Sequence, residues 1–332
     1  MTDEKEEIKT DSFRQAMRRF AATVSIISTV SSDGTPHGMA ATAVTSLSFD
    51  PLSLLVAVNK SASDLIMKTC EQMQADLNAT IYAHENVINV DSAKKILGNY
   101  NPKVVINCIG KTGIPNVDWC DNNKVQTFES NVLVPSYLAV ACDKLNIRMV
   151  HIGSGCIYEG DNKGLGFGED DLANFSGSYY SRTKIISENI LKDFNVLQLR
   201  VRMPIDSEPD NRNLLTKLLK YRKIMDAPNS VTILSDFLRV SKKIIDAEKT
   251  GIYNLVNEGV VQNSEIIKMY EKISGTEHIY EIISSRELDK ITVAKRSNCI
   301  LSTSKLSSEG FQMPHIRLSL EKLITEYVNF GS

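Results

Sequence analysis

The sequence lacks several features that would assign it to a specialised class of protein. No apolar run approaches the roughly 20 residues that a membrane-spanning helix needs. A net charge of −2 gives no electrostatic reason to expect nucleic acid or an anionic membrane as a partner. The six cysteines of the 332 residues form no C-x-x-C pair, which argues against a disulfide framework and a zinc site. Five scattered histidines also predict no metal site.

The most informative absence is that of a glycine-rich loop. Dinucleotide-binding folds place closely spaced glycines at the first strand–helix junction, where the backbone approaches the pyrophosphate and the helix N-terminus points at it. No such spacing follows a suitable strand here. Gly164, Gly166 and Gly168 lie in a loop before a predicted helix, and Gly34 and Gly38 lie in a predicted hairpin. An ordinary phosphate loop is therefore not predicted.

The composition itself is that of an ordinary globular protein. Hydrophobic residues make up 42% of the chain and charged residues 23%. The length allows one large domain or two smaller ones. The N-terminal stretch MTDEKEEIKTD is acidic and polar, unlike a secretory signal peptide. Together with the unpaired cysteines, this stretch predicts a cytoplasmic protein.

From about residue 62 onward, predicted helices and strands alternate. The helices cover 62–73, 90–97, 122–145 and 181–191, and the strands 79–83, 103–109, 148–152 and 195–201. This rhythm predicts an α/β fold with a doubly wound, Rossmann-like parallel sheet, whose ligand crevice lies at the C-terminal ends of the strands. Beyond residue 206 a small, mostly helical part follows, with helices at 212–224, 234–247, 264–274 and 318–329 and short strands near 252–255 and 278–283.

A hydroxyl and a Tyr-x-x-x-Lys pair follow the strand at 148–152. Ser154 lies at the C-terminal end of that strand, and Tyr180 and Lys184 lie one turn apart on the next helix. A lysine in this position favours the phenolate and is expected to lower the pKa of the tyrosine, whose ordinary value is about 10. With Ser154 holding a carbonyl oxygen that Tyr180 protonates, the set suits hydride transfer to or from a carbonyl.

The stretch that holds these residues resembles the short-chain dehydrogenase/reductase superfamily. Seven sequence segments are similar to the nucleotide-sugar branch of this superfamily in particular. They are GIPNVDWC (113–120), SGCIYEG (154–160), GSYYSRTK (177–184), LRVRMP (199–204), PNSVTIL (228–234), GIYNLVN (251–257) and RSN (296–298). That branch includes the dTDP-4-dehydrorhamnose reductases and the UDP-4-keto-6-deoxyglucose 3,5-epimerase/4-reductases. The resemblance covers roughly residues 68–330. It implies NADPH or NADH as the hydride donor, a UDP- or dTDP-linked 4-keto-6-deoxy sugar as the substrate, and leaves a homodimer open as the assembly.

The same resemblance gives catalytic roles to Cys156 and Lys217. In the epimerase/reductases the matching residues are acid/base groups that invert C3 and C5 of the sugar. The C–H bonds there lie next to a carbonyl, which makes proton exchange feasible. The alternative for Cys156 is a small buried hydrophobe, the commoner state of a free cysteine. A protein that only reduces its substrate would need neither residue.

Further residues acquire binding roles from the resemblance. The nicotinamide cofactor is expected against Tyr180, Lys184, Ile109, Gly110, Lys111, Met203 and Pro204. The substrate is expected against Asn116, Asp118, Trp119, Asn131, Arg296 and Asn298. The guanidinium of Arg296 suits a diphosphate, and the alternative is a solvated surface charge. For Asn131, which is placed to order a water near the lysine, the alternative is a structural helix residue.

The first sixty or so residues resemble a different family, the flavin reductase or split-barrel FMN-binding family. The matching words are FRQAMRRFAATVSIIST, DGTPHGMAATAVTSLSFDP and SLLVAVNKSAS. A helix is predicted over 12–21 and strands over 23–30, 37–48 and 52–58. The resemblance implies flavin contacts from 42–46 and 59–63, but it stops near residue 63 without the rest of the barrel. The strand edges would then be unpaired, so FMN is the less favoured cofactor.

Residues 53–73 are predicted to replace the first strand and helix of the Rossmann sheet. Counting back from the following helix places the three glycines of the epimerase/reductases on Ala57, Lys60 and Ser63. The strand at 54–58 then takes the position of the first, central strand. Ser61 and Ser63 can cap the helix and Lys60 can attract a phosphate, so the cofactor is expected to bind there, but more weakly than in the family.

These patterns predict three segments. Residues 1–52 form a flavin-reductase-like, incomplete split barrel, residues 53–205 a Rossmann-like domain, and residues 206–332 a mostly helical substrate domain. The predicted activity is NAD(P)H-dependent reduction of a nucleotide-linked 4-keto-6-deoxy sugar, with 3,5-epimerisation where Cys156 and Lys217 act. The alternatives are an FMN-binding module and a non-catalytic fusion or scaffold that binds no cofactor.

Overall fold

The computed structural model describes residues 87–99 and 102–330 with their side chains, the backbone at residue 100, and the backbone of five strands before them. These five strands are β1 (Ser25–Val30), β2 (Pro36–Ala41), β3 (Ala43–Ser46), β4 (Leu54–Ala57) and β5 (Ile81–His84). The predicted helices at 12–21 and 62–73, and the predicted phosphate loop with Lys60, Ser61 and Ser63, lie outside the described residues.

The remaining strands are β6 (Val104–Asn107), β7 (Arg148–Ser154), β8 (Val196–Val201), β9 (Lys223–Met225), β10 (Gly251–Asn254) and β11 (Glu281–Ile283). The first helices are α1 (Val90–Tyr100), α2 (Asp118–Asn122), α3 (Lys124–Phe128), α4 (Val134–Leu145), α5 (Tyr179–Leu191) and α6 (Leu214–Lys220). The last are α7 (Leu234–Asp246), α8 (Asn263–Ser274), α9 (Ser285–Leu288), α10 (Ser304–Ser308) and α11 (Ile316–Asn329).

A five-stranded sheet in the order β10-β8-β7-β6-β4 forms the centre of the fold. All four neighbouring pairs are parallel. Such a sheet is buried on both faces, which explains the apolar runs of β6, β7 and β8 in the sequence. The predicted α/β fold with a Rossmann-like parallel sheet is confirmed by this architecture.

Side chains that alternate along the strands divide the core into two layers. Val105 and Met149 pack with α1 and α4 on one face. The next residues along each strand, Ile106 and Val150, pack with α7 on the other face. Helices therefore cover both faces of the sheet, and the C-terminal strand ends stay open for a ligand.

The N-terminal strands differ in part from the prediction. β1 and β2 form the predicted antiparallel hairpin. β4 pairs in parallel with β6, as predicted for a substitute first strand, with Leu54 opposite Val104. It is an edge strand of the described sheet, so the predicted central position is wrong. The reason is that β5 pairs antiparallel with β3 in a separate two-stranded sheet and extends the parallel sheet no further.

The helix predicted over 122–145 is divided into shorter pieces. α2 and α3 are followed by a π-helical turn at Glu129–Leu133 and then by α4. Pro135 lies in the first turn of α4 and cannot donate a hydrogen bond to the preceding turn. The wider π turn precedes this proline, and it places Asn131 on the buried side of the segment.

The C-terminal part contributes to two cores. β10 and α7 belong to the central sheet and its cover, although both follow residue 206. α6, α8 and α11 bury a separate apolar cluster that includes Leu215, Ile266 and Leu320. The helix predicted over 212–224 ends at Lys220, because β9 then pairs with β11. The division at 52 and 205 stays a prediction. Among the described residues, no helix is both long enough and apolar enough to cross a membrane.

Candidate active site

A cavity of about 400 Å³ opens at the C-terminal edge of the central sheet. It is lined by the ends of β6, β7 and β8 and by residues of α5, α6 and α7. Most of the predicted site residues meet there: Ser154, Cys156, Tyr180, Lys184, Lys217, Ile109, Gly110, Met203, Pro204, Asn116 and Arg296. Lys111, Asp118, Trp119, Asn131 and Asn298 do not line it.

Tyr180 lies in the first turn of α5, which begins one residue before it because the side chain of Ser178 caps the helix. Ser154, at the end of β7, lines the cavity with it. Burial raises the pKa of Tyr180 well above its ordinary value, and the neighbouring Ser154 hydroxyl only partly opposes this effect. The predicted lowering of the tyrosine pKa is therefore wrong. Tyr180 is protonated at neutral pH and can act as a proton donor.

Lys184 reaches from α5 to the end of β7. Its Nζ donates to the carbonyl oxygen of Ile152 at 3.2 Å. Burial lowers the pKa of Lys184 to about 8, so its ammonium form predominates at pH 7. A Cβ built on Gly110 would lie 3.5 Å from this Nζ, in ordinary van der Waals contact, so Gly110 is directly beside the lysine.

His151 and Asn107 fix the strand ends behind Lys184. Asn107 Nδ2 lies 3.0 Å from His151 Nδ1, and the amide of Ile109 donates to Asn107 Oδ1 at 3.0 Å. Burial, with Lys184 adding to it, lowers the pKa of His151 well below its ordinary value. The imidazole is therefore neutral and structural. The role of His151 is not evident from the sequence, because nothing in the strand pattern shows which polar residue faces which neighbour.

Asn131 supports the site from outside the cavity. It is fully buried, and its Oδ1 accepts from the Lys111 amide at 2.6 Å. Its Nδ2 donates to the Lys111 carbonyl and to Thr183 Oγ1, each at 3.1 Å. These bonds tie the loop after β6 to α5. The predicted substrate contact is corrected on this ground, because the side chain's polar atoms are used inside the protein.

Cys156 and Lys217 line the same cavity from different elements. Cys156 is half-buried in the loop after β7, and Lys217 lies on α6. Burial lowers the pKa of Lys217, and the neighbouring Arg212 adds to the effect. Arg202, which is not among the predicted site residues, donates from Nη1 to Cys156 Sγ at 2.9 Å. One feature of the sequence could have indicated Arg202. It follows Arg200 by two residues, and residues two apart along a strand lie on the same side of the chain.

The loop at 113–120 is held to the segment at 294–298 by an ion pair. Arg296 Nη1 donates to Asp118 Oδ1 at 2.8 Å, and the Ala294 amide donates to the same oxygen at 2.9 Å. Burial alone would raise the pKa of Asp118, but these hydrogen bonds lower it. Arg296 is 22% exposed and lines the cavity, so it is not the solvated surface charge of the alternative interpretation.

Two other residues predicted to bind substrate make contacts within this loop region, and their substrate contacts stay a prediction. Trp119 packs against Gly113, whose missing side chain makes room for it, and lies under the ammonium of Lys111. Asn298 accepts from Asn229 Nδ2 at 3.1 Å. Within the described residues, no group of three histidine, cysteine or acidic side chains is arranged to hold a metal ion.

The cofactor side of the cavity fits the nicotinamide half of a dinucleotide. Ile109, Gly110, Met203 and Pro204 provide apolar and backbone surface beside the Tyr180 hydroxyl and the Lys184 ammonium. Met203 has a φ of 44°, a conformation that non-glycine residues seldom adopt and that occurs at functional sites. The residues predicted for the phosphates, Lys60, Ser61 and Ser63, lie outside the described residues.

The parallel sheet, the serine at the end of β7 and the Tyr-x-x-x-Lys pair on α5 define an oxidoreductase of the extended short-chain dehydrogenase/reductase class. The family described as RmlD substrate binding domain matches residues 57–329, and the chain belongs to this family. The predicted family and enzyme class are thereby confirmed.

Two relatives from Arabidopsis thaliana are similar in sequence. A bifunctional dTDP-4-dehydrorhamnose 3,5-epimerase/dTDP-4-dehydrorhamnose reductase is 41% identical over 232 residues, which are 68% of this chain and 77% of the relative. A trifunctional UDP-glucose 4,6-dehydratase/UDP-4-keto-6-deoxy-D-glucose 3,5-epimerase/UDP-4-keto-L-rhamnose-reductase is 41% identical over 67% of this chain. This chain covers 34% of the trifunctional protein, so it matches about a third of that relative.

A solved structure supports the same assignment. The UDP-rhamnose synthase of Acanthamoeba polyphaga mimivirus superimposes with a TM-score of 0.75 at 30% identity, over 79% of this chain and 95% of that chain. A much shorter match links the chain to the reductase component of an FADH(2)-dependent resorcinol hydroxylase from Rhizobium. It is 54% identical over 48 residues, or 27% of that protein. The flavin-binding alternative therefore stays a prediction.

Proposed function

We propose that this protein reduces the 4-keto group of a nucleotide-linked 4-keto-6-deoxy sugar, with NADPH or NADH, after inverting C3 and C5. The observation that carries the proposal is that Ser154, Tyr180, Lys184, Cys156 and Lys217 line one cavity at the strand ends. Relatives that combine an epimerase and a reductase in their names support the pairing of the two activities. The location is proposed to be the cytoplasm, with a homodimer as the assembly to be tested.

The reductase step uses Tyr180 as the acid. A nicotinamide cofactor, when bound beside these residues, would supply the hydride for C4 of the sugar. Ser154 donates to and orients the carbonyl oxygen, and Tyr180 gives its proton to that oxygen. The Lys184 ammonium stabilises the phenolate that this transfer leaves behind. Ile109, Gly110, Met203 and Pro204 hold the cofactor beside these groups.

The epimerase step uses two further residues that line the same cavity. Cys156 and Lys217 exchange the protons on C3 and C5, one group removing a proton from one face and the other returning a proton to the opposite face. Burial keeps the pKa of Lys217 below its ordinary value, which suits a lysine that must both gain and lose a proton. Arg296 and Asn116 line the same cavity, and we propose that they hold the nucleotide part of the substrate.

The direct test supplies the purified protein with UDP- or dTDP-linked 4-keto-6-deoxyglucose and with NADPH or NADH. The expected product is a nucleotide-linked 6-deoxy sugar inverted at C3 and C5, detected by NMR, with one nicotinamide oxidised per sugar. A comparison of rates identifies the nucleotide and the cofactor. If neither sugar is reduced with either cofactor while the protein is folded, the proposal is wrong. Bound FMN in the purified protein would favour the flavin-binding alternative.

Replacing Cys156 by alanine should separate the two activities. Cys156→Ala is expected to slow the incorporation of solvent deuterium at C3 and C5 by about 100-fold, because an acid/base group is lost. Lys217→Met should have a similar effect, whereas Lys220→Met on the same helix should have almost none. Exchange is measured by mass spectrometry without nicotinamide. Unchanged exchange in Cys156→Ala would assign the epimerisation to other residues.

The reductase reaction should lose activity as the pH rises through about 8. Below this pH Lys184 carries its ammonium, and above it the charge that stabilises the Tyr180 phenolate is lost. We expect kcat/KM for reduction to fall roughly tenfold per pH unit above the pKa of Lys184. In Lys184→Arg the guanidinium stays protonated, so any remaining activity should not show this fall. A wild-type profile that stays flat beyond about pH 9 would contradict the role given to the ammonium.

A further inference from the structure

Arg202 is a buried cation in the wall of the cavity. It is 4% exposed and follows β8, at the strand end that faces the predicted substrate. Its Nη1 donates to Cys156 Sγ at 2.9 Å, and its Nη2 donates to Asn229 Oδ1 at 2.7 Å and to the Ser297 carbonyl. Its Nε has no hydrogen-bond partner in the described part of the chain.

Arg200 has a carboxylate partner, whereas Arg202 has none among the described residues. Arg200, two residues earlier and equally buried, forms a bidentate ion pair with Glu188. None of the ion pairs between described residues includes Arg202. Apart from the amide and carbonyl oxygens, its contacts are the thiols of Cys156 and Cys299. A buried guanidinium without an anionic partner is costly, so an ionised thiol is the available counter-ion.

Cys156 is the better of the two thiols for this purpose. It is half-buried and lines the cavity, whereas Cys299 is 1% exposed and gives its own proton to the Gly155 carbonyl at 3.2 Å. Burial raises the pKa of Cys299, which keeps it a thiol. The other titratable groups that act on Cys156 are Lys184 and Tyr180, and no hydrogen bond joins either of them to its sulfur. Arg202 is therefore the cation in direct contact with Cys156.

We propose that Arg202 is a positioning residue that holds Cys156 as a thiolate, paired with its guanidinium, in the resting protein. The role of this thiolate in the epimerisation of a sugar rests on the proposed function. The thiolate takes the proton from C3 or C5 as the S–H bond forms and the C–H bond breaks, and the electron pair moves to the oxygen on C4. The Lys217 ammonium protonates the same carbon from the other face. Proton exchange with water then restores the thiolate and the ammonium.

The proposal predicts a reactive thiolate that can be measured without any substrate. The probe is iodoacetamide, and the alkylation of the Cys156 peptide is followed by mass spectrometry. The wild-type rate should change less than about 3-fold between roughly pH 7 and pH 9, whereas an ordinary thiol gains about 20-fold over this range. A wild-type profile like that of an ordinary thiol overturns the proposal, and this measurement needs no variant.

Variants test which cation stabilises the thiolate and whether Cys299 contributes to the reactivity of Cys156. Arg202→Gln should slow alkylation near pH 7 by about 10-fold and restore the steep profile, and Arg202→Lys should retain most of the rate. Lys184→Met should slow it less, since Lys184 does not contact the sulfur. Cys299→Ser should leave the profile of Cys156 unchanged. Equal rates in wild type and a folded Arg202→Gln, or a large effect of Cys299→Ser, would overturn the proposal. If the thiolate is found but no keto sugar is turned over, the ion pair stands and the proposed function is wrong.

Discussion

Tyr180→Phe is expected to lower kcat for 4-keto reduction by about 1,000-fold, which is the largest effect on activity that we predict. The variant keeps the aromatic ring in its buried position in α5 but removes the hydroxyl that donates the proton. The binding surface of Ile109, Gly110 and Lys184 is unchanged, so nicotinamide should still bind. Initial rates with a 4-keto-6-deoxy sugar, and a separate cofactor titration, measure the two effects.

Tyr179→Phe is the matched control for this variant. Tyr179 is the adjacent tyrosine on α5, but its ring lies beside Lys124 and Arg182, and it is not part of the cavity lining. We expect its kcat to stay within about 3-fold of wild type. Exchange of the C3 and C5 protons should continue in Tyr180→Phe, because Cys156 and Lys217 are intact. Equal loss of activity in the two variants would show that the Tyr180 hydroxyl is not the proton donor.

The meeting of Ser154, Tyr180 and Lys184 in one cavity was predictable because these residues are close in sequence or lie at strand ends. Tyr180 and Lys184 are one helical turn apart, and Ser154 ends a strand that the β-branched and apolar residues mark clearly. A parallel sheet brings such ends to one edge. Cys156 and Lys217 required the resemblance to a family, since no local spacing connects α6 to the loop after β7.

The residues that hold the site together were not predictable in the same way. Arg202 contacts Cys156, Asn229 and Ser297, which are between 27 and 95 residues away along the chain. Asn131 is buried in a π turn before Pro135, and a regular helical period does not predict such a turn. A sequence pattern specifies the period of an element but not its partner across the fold, so the roles of Asn131, Asp118 and Trp119 emerged only from their contacts.

The sheets that β5 and β10 join could not be predicted from the sequence either. Both are short strands of four residues, and their sequences do not show which sheet they join. β10 joins the parallel sheet beside β8, far along the chain from the other strands. β5 pairs with β3 instead. Because pairing depends on which edges are available, the order of strands could not be derived from the alternating pattern alone.

Replacing Arg200 by methionine is expected to lower the free energy of unfolding by about 3–5 kcal/mol. Arg200 is fully buried, and its guanidinium forms hydrogen bonds at 2.7 and 2.8 Å with Glu188 on α5. It also donates to the carbonyls of Gly168 and Glu169 and to the Asn254 side chain on β10. The variant leaves the Glu188 carboxylate buried without its cation, which costs more than the original pair contributes. Chemical denaturation of the wild type and the variant measures the difference.

Two further variants separate the loss of the pair from the loss of packing. Arg239→Met removes a surface arginine that is 49% exposed and paired with Asp236, and it should cost less than about 1 kcal/mol. The double variant Arg200→Met/Glu188→Leu removes both buried charges, so it should be more stable than Arg200→Met alone. If the double variant is as unstable as the single one, the cost lies in the hydrogen bonds to Gly168, Glu169 and Asn254. In that case Arg200 stabilises the fold mainly by fixing the loop before the Tyr180 helix to β10, and the uncompensated charge of Glu188 is the smaller contribution.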